Sequence, residues 1–275
     1  MNDMVKTKMP RLTRYDMGSE VVAFSSTRHG GYSVGQYGEF NINAFCGDKP
    51  SAIAKNRDAL CQLLGIDNDR LLMPHQVHLA EVACIDEPFL HLNPAERNAK
   101  LEGIDAVMTS IPGVCIGVST ADCIPILLYD QQKHVVAAVH AGWRGTVQRI
   151  AKKAVEVMKA TYGSSPSDLT AQIGPGISLQ SFEVGQEVYD AFVAEGFIME
   201  SIACLMPASQ GNEKEEKWHI DLPLCNRLQL QEAGLLNEQI HTLHVCTYKQ
   251  HADYFSARRL GINSGRIFTG IMLKQ

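Results

Sequence analysis

Thr120-Ala121-Asp122-Cys123-Ile124-Pro125 opens the stretch that decides the fold. An apolar run through Tyr129 follows, then a turn at Asp130-Gln131-Gln132-Lys133. Val135-Val136-Ala137-Ala138-Val139-His140-Ala141-Gly142-Trp143-Arg144-Gly145 completes it. Short apolar runs bounded by turn residues read as buried strands, here 124–129 and 135–140. A strand, a tight turn and a returning strand make a hairpin. That hairpin can bring Cys123 and His140 together although they are far apart in sequence. Other strands are expected at 21–24, 81–85, 106–110, 114–119, 171–173, 240–244 and 268–273. Helices and strands interleave without strict alternation, and several strands follow one another through short turns. That pattern predicts an α+β chain with mixed β-sheets and helices outside, not a regular parallel sheet.

Three helices are expected. Ser51 after Pro50 can cap one, with Ile53, Leu60 and Leu64 on one face and Gly65 at its end. Thr146 can cap a second, with Val147, Ile150, Ala151, Ala154 and Met158 at helical spacing and Gly163 beyond. Asp221 can cap a third, with Pro223 in the first turn, Leu224 and Leu228 on one face and Gly234 at C′. The polar stretch 209–217 reads as a solvated loop. No internal repeat is evident.

The chain has 275 residues, 45% of them hydrophobic, which is enough for a sizeable core. Its net charge of −5 argues against a dedicated nucleic-acid binder. Local arginines can still make a pocket for small anions. The N-terminus lacks the apolar segment of an export signal, and no run is long enough for a membrane span. The eight cysteines include no Cys-x-x-Cys pair, so free thiols are expected. These features predict a cytoplasmic protein, expected to be monomeric.

Cys123 and His140 support two chemistries. Thiolate and imidazole both bind Zn²⁺. A histidine beside a cysteine also lowers its pKa and makes a nucleophile. A structural thiol beside a hydrogen-bonded core histidine is the plain alternative. If a metal binds, a third ligand is needed. His75-Gln76-Val77-His78 offers two imidazoles, and residue chemistry alone does not choose between them. A His-Cys-His set leaves one tetrahedral position open for water, as in catalytic zinc.

Gly142-Trp143-Arg144-Gly145-Thr146 joins a strand to a helix. Free N–H groups there, with the fork of Arg144, suit an anion such as phosphate. Thr146, at the head of that helix, is counted with Arg144 as a substrate contact. Ser26-Thr27-Arg28-His29-Gly30-Gly31 supplies Arg28 as a further anion contact. Asn41 in Phe40-Asn41-Ile42-Asn43 can bond a ring edge or a ribose. Asp105, at the start of a strand, and Asp122, beside Cys123, are candidates to move protons. Ile173-Gly174-Pro175-Gly176-Ile177-Ser178 can wall the same pocket, and Tyr254-Phe255-Ser256-Ala257-Arg258-Arg259 reads as a surface turn. There is no Gly-x-Gly-x-x-Gly after a strand and no Walker loop.

Taken in order, these pieces resemble one family. They are Ser26 to Gly31, Asn41, Gly47-Asp48, Gln76-Val77-His78, Asp105-Ala106, Thr120 to Pro125, His140 to Gly145, Ile173-Gly174-Pro175, Asp221-Leu222-Pro223 and Phe255 to Arg259. The set is similar to the YfiH-like family, also called the multicopper polyphenol oxidase or laccase-domain family. Its members are described as purine nucleoside phosphorylases with adenosine deaminase activity. The resemblance implies one domain over 1–275 with an α/β/β/α-type sandwich. It implies a zinc site of His78, Cys123 and His140, taking His78 over His75. It also implies phosphorolysis of purine nucleosides (adenosine, inosine, guanosine, methylthioadenosine) and hydrolytic deamination of adenosine. The sequence departs from the family where Phe45 replaces a common histidine. It departs again at Ser178 and Ser181, near a common cysteine, and at Ala257-Arg258-Arg259-Leu260, where the family often has Tyr-Arg-Arg-Asp.

Copper oxidase chemistry needs many closely spaced histidines, and no His-x-His occurs among the ten here. The leading expectation is a zinc enzyme acting on purine nucleosides with phosphate. The alternative is a metal-free cysteine hydrolase or deamidase with Cys123 as nucleophile and His140 as base.

Overall fold

The hairpin sits at the centre of the molecule. The computed structural model describes residues 8–208 and 216–275. Ile124–Asp130 pairs antiparallel with Val135–Ala141, and Pro125 lies opposite His140. The turn is set locally. Asp130 Oδ1 accepts from the N–H groups of Gln132 and Lys133, each at 2.9 Å, a bond pattern that fixes a tight turn without help from the core.

Around the hairpin grows a six-stranded sheet. Its order is Ile240–Thr242, Leu169–Ile173, Ile124–Asp130, Val135–Ala141, Ala106–Thr109, Val82–Ile85. The outermost pair on each side is parallel and the inner pairs are antiparallel. A five-stranded sheet runs Leu12–Tyr15, Val21–Ser26, Ile267–Leu273, Cys115–Thr120, Leu71–Leu72. A small third sheet holds Glu183–Val184, Glu216–Ile220 and Ala203–Pro207.

Side-chain alternation explains the layers. Leu127, Tyr129, Val136 and Ala138 point to one face of the hairpin. They meet Ile116, Val118 and Ile271 of the five-stranded sheet. Ile126, Leu128, Ala137 and Val139 point to the other face. They pack on helices Ile150–Tyr162 and Leu222–Glu232. The far face of the five-stranded sheet buries Phe24, Cys115 and Phe268 against Leu60 and Cys61 of helix Pro50–Leu64. The result is the expected α+β sandwich of two sheets between helices. With both faces covered, every residue of both hairpin strands is buried, which is why the sequence shows unbroken apolar runs there.

All nine expected strands form, with ends moved by a few residues. Two helix starts differ. Lys49 caps Pro50–Leu64, with Pro50 in the first turn and Gly65 in the left-handed region. Ser51 is therefore inside that helix. Thr146 does not cap the second helix either. Trp143–Val147 is a single short helical turn, Arg149 breaks it with φ +59°, and the long helix begins at Ile150. The third helix starts as read: Asp221 Oδ1 accepts from Leu224 N at 2.9 Å. Its fully buried face is Leu222, Cys225, Asn226, Gln229 and Leu230, while Leu224 and Leu228 are half-buried. Of the polar stretch 209–217, residues 209–215 lie outside the described residues, and Glu216 and Lys217 begin a strand. Among the described residues, no helix is long and apolar enough to cross a membrane.

Candidate metal centre

The hairpin brings Cys123 and His140 to the same end of the sheet. A third group joins them from the loop after Leu71–Leu72. The ligand atoms of His78, Cys123 and His140 all lie within 4.8 Å of one another. Among the described residues this is the one such group of histidine, cysteine and acidic side chains. The His78 and His140 rings stand edge to face, 4.8 Å between centroids and 76° between planes. His140 is buried, Cys123 half-buried and His78 exposed, so the group opens to solvent on one side.

Asp105 builds this geometry. Its carboxylate is fully buried and accepts four N–H bonds. Oδ1 takes His78 N at 3.0 Å and His140 Nδ1 at 2.7 Å. Oδ2 takes Leu79 N at 2.9 Å and Val77 N at 3.3 Å. Burial on its own raises a carboxyl pKa, but the His140 imidazole and these amides hold Asp105 below its usual range. With Nδ1–H on Asp105, His140 turns Nε2 toward Cys123, where that nitrogen can bind a metal once its proton has left. That is the usual orienting role of a carboxylate behind a ligand histidine.

Two residues at the site are left-handed, His78 at φ +64° and Asp122 at φ +85°. Such a conformation costs a residue other than glycine about 1–2 kcal/mol. Both are clamped. Asp105 grips the amides at 77, 78 and 79. Asp122 accepts from Thr247 Oγ1 and Arg258 N, each at 2.7 Å, and its carbonyl accepts from Ile177 N at 2.8 Å. Strain held in place by surrounding bonds is common where function demands one geometry.

Gly142 shows how tightly the group is built. A Cβ there would lie 3.0 Å from His78 Cδ2, 3.2 Å from Cys123 Sγ and 3.7 Å from His140 Cε1. The bare backbone leaves the space beside all three ligands free. Gly145 is needed for a different reason: its Cβ would come within 2.8 Å of the Leu79 carbonyl oxygen.

Charge follows from this packing. Burial raises the Cys123 thiol pKa, but the His140 and His78 imidazoles more than reverse it, to about 6. Burial lowers the His140 pKa, but Cys123 and Asp105 lift it to about 9. Without a metal, the pair is therefore thiolate and imidazolium near neutral pH. Two imidazoles and one thiolate fit zinc. Bonds of about 2.0–2.3 Å at tetrahedral angles separate ligand atoms by roughly 3.5 Å, so a small contraction of the group suffices.

The other expected site residues are distributed unevenly. The Arg28 guanidinium donates to the carbonyls of Gly38 and His251 at 2.9 and 2.7 Å. It is used in joining loops. Asn41 is buried, donating to Asp48 Oδ2 at 2.9 Å and accepting from Asn43 N and Arg266 N. Thr146 is buried too, and its hydroxyl accepts from Asn226 Nδ2 at 3.1 Å. Arg144 is exposed and lies over the Trp143 ring at 4.2 Å. The Gly174–Gly176 turn packs on the strand that follows Cys123: Gly174 N donates to Pro125 O, and Gly176 fits against Ile124. Asp105 was legible as a titratable group, but its grip on three amides was not. Gln76 and Asn43 stood inside quoted motifs but were given no role of their own. Gln76 exchanges two bonds with the Ser119 backbone, and Asn43 donates to Ser119 Oγ at 2.6 Å.

A groove of about 880 Å³ opens between Asp221–Arg227 and Ile240–Gln250. None of the three ligand residues lines it. The three candidate ligands meet instead at the solvent-exposed His78.

Comparison with known proteins identifies relatives of the whole chain. A purine nucleoside phosphorylase of Bacteroides thetaiotaomicron is 41% identical over 270 residues, covering 97% of this chain and 98% of its own. Adenosine deaminase RL5, from an unknown prokaryotic organism, is 44% identical over 254 residues, covering 92% of this chain and 94% of its own. The crystal structure of the Bacillus licheniformis hypothetical protein YfiH superposes with a TM-score of 0.87 at 27% identity, covering 96% of this chain and 97% of that one. A family profile described as multi-copper polyphenol oxidoreductase laccase matches residues 22–274. The chain belongs to this family, the one that includes the YfiH proteins.

Proposed function

We propose that the chain is a zinc-dependent purine nucleoside enzyme. It would cleave purine nucleosides with phosphate and deaminate adenosine with water. The observation that carries this reading is the convergence of His78, Cys123 and His140 beside the Gly142 backbone, with Asp105 fixing His140. The names of its relatives, purine nucleoside phosphorylase and adenosine deaminase, give the substrate class.

When bound, zinc supplies Lewis acidity and makes water a stronger acid at the open fourth position. The chain's own residues do the rest. Cys123 and the two imidazoles hold the ion. Asp105 keeps His140 in the tautomer that presents Nε2. Arg144, exposed beside the site, is the proposed phosphate contact. In deamination, water adds at C6 of the base and ammonia leaves. In phosphorolysis, a phosphate oxygen bonds to C1′ as the C–N bond breaks and the base departs with a proton. Asp122 is given no part in moving protons, since both of its oxygens are bonded. Arg28, Asn41 and Thr146 are assigned to scaffolding for the same reason.

The reading includes one domain in the cytoplasm, and all eight cysteines being free is consistent with that. The test is an adenosine assay with and without phosphate. Inosine should form in both, and free base only with phosphate. His78→Ala should lose zinc and both activities, and an active His78→Ala protein would end the assignment.

One arrangement favours a second reading: Cys123 Sγ lies close to the His140 ring, which holds the thiol below its usual range. A metal-free thiolate so placed could act as the nucleophile of a hydrolase. Rapid alkylation of Cys123 in zinc-free protein that stays active would support it.

A further inference from the structure

Phe45 keeps 55% of its surface exposed although one face lies flat on His75, with ring centroids 3.9 Å apart and planes 19° apart. A hydrogen-bond network fixes the backbone on both sides of the ring. Asn43 Oδ1 accepts from Phe45 N at 2.7 Å. Asn43 in turn is fixed by Asn41 Oδ1, which accepts its N–H at 3.1 Å, and by Ser119 Oγ. Asn41 is anchored on Asp48, and Tyr37 donates to the Cys46 carbonyl. On the other side of the stack, His75 Nδ1 bonds the Glu102 carboxylate at 2.8 and 2.9 Å. Gln76 then ties the next residue to Ser119.

The stack is therefore rigid, exposed and beside the reactive centre. His75 precedes His78 by three residues, so their Cα atoms lie within about 11 Å. Val77 and Leu79, the sequence neighbours of His78, are 38% and 44% exposed. A preorganised aromatic face within that reach suits a planar base whose C6 edge extends toward the three candidate ligands.

We propose that the Phe45–His75 stack is the platform on which the nucleobase lies, making Phe45 a specificity-determining residue. This rests on the reading of the substrate as a nucleoside. The free face of Phe45 stacks on the base, and His75, steadied by Glu102, backs the ring.

Phe45→Leu and Phe45→Tyr test it in the zinc-loaded protein. Leucine still covers His75 but offers no aromatic face, whereas tyrosine keeps it. Base–aromatic stacking is worth about 1–3 kcal/mol by alanine substitution, so a tenfold loss is the expected scale. The dissociation constant and KM for adenosine should rise about tenfold in Phe45→Leu, with kcat within about twofold and zinc content unchanged. Phe45→Tyr should match the parent, and ribose, the sugar alone, should bind all three proteins equally weakly. Unchanged adenosine binding in Phe45→Leu would overturn the platform and leave the proposed reaction untouched. Loss of zinc in Phe45→Leu would also overturn it, by assigning Phe45 to the scaffold. Adenosine binding that depends on Phe45, without turnover by the parent, would keep the platform and remove the reaction.

Discussion

Asp105→Asn separates an orienting role from mere packing. Asp105 Oδ1 serves His78 N and His140 Nδ1, while Oδ2 serves Val77 N and Leu79 N. Asparagine has one oxygen and one NH₂. Whichever way the amide turns, two N–H donors lose their acceptor and face another donor. A hydrogen bond to a charged group contributes about 1.5–3 kcal/mol, so two together set a range of roughly 3–6 kcal/mol. The loop at 77–79 is exposed on its outer side and water can relieve part of the loss, which puts the expected destabilisation near 3 kcal/mol. The metal effect is separate. Loss of the partner behind a ligand histidine typically costs 10–100-fold in affinity. Urea unfolding with a chelator present reads the first quantity, and competition against a chromophoric zinc chelator reads the second. The account predicts that both fall. A variant weakened in urea yet binding zinc as tightly as the parent would refute it, leaving Asp105 as a clamp for the loop and nothing more.

Gly142→Ala should leave the fold nearly intact, because Gly142 has φ −68° and any residue adopts that backbone. Its new Cβ would crowd His78 and Cys123, so zinc affinity should drop at least tenfold while the chelator-treated protein melts within a few degrees of the parent. Zinc uptake should also depend on pH in a defined way. Between about pH 6, where Cys123 titrates, and about pH 9, where His140 does, the metal-free pair holds one proton. Zinc needs thiolate and neutral imidazole, so that proton leaves on binding. The pair's share of the affinity should then rise about tenfold per pH unit across this window and level off above it. Calorimetry in two buffers of different ionisation enthalpy counts the proton, and a count near zero would contradict the assignment. Thr146→Val removes the acceptor of Asn226 Nδ2. It should cost about 1–2 kcal/mol of stability and leave kcat/KM unchanged; a large kcat/KM loss would return Thr146 to the substrate.

The sandwich was legible because its central strands are covered on both faces and therefore apolar throughout. The hairpin register then follows from the Asp130 turn, and with it the meeting of Cys123 and His140. His78 was a different case. It comes from a loop outside the hairpin, so residue chemistry left it level with His75, and the family resemblance made the choice. His75 proves to bond Glu102 and stack on Phe45 instead. Thr146 misled because its hydroxyl looks like a cap in sequence, whereas Asn226, far along the chain, claims it. Helix Pro94–Leu101 was missed although Asn93 and Glu96 form a capping box, since it buries one residue, Leu101, and leaves little apolar period. The small sheet of Ala203–Pro207 and Glu216–Ile220 was missed for a similar reason: its strands are mostly half-exposed. Gly142 could not be read at all, because its role is a distance to three side chains that only folding brings near.

Zinc titration of the chelator-treated protein, followed by adenosine turnover at each point, tests the central claim most directly. The account predicts that activity rises in proportion to bound zinc and saturates at one ion per chain, with no such response in Cys123→Ala. Full turnover before any zinc is added would contradict it.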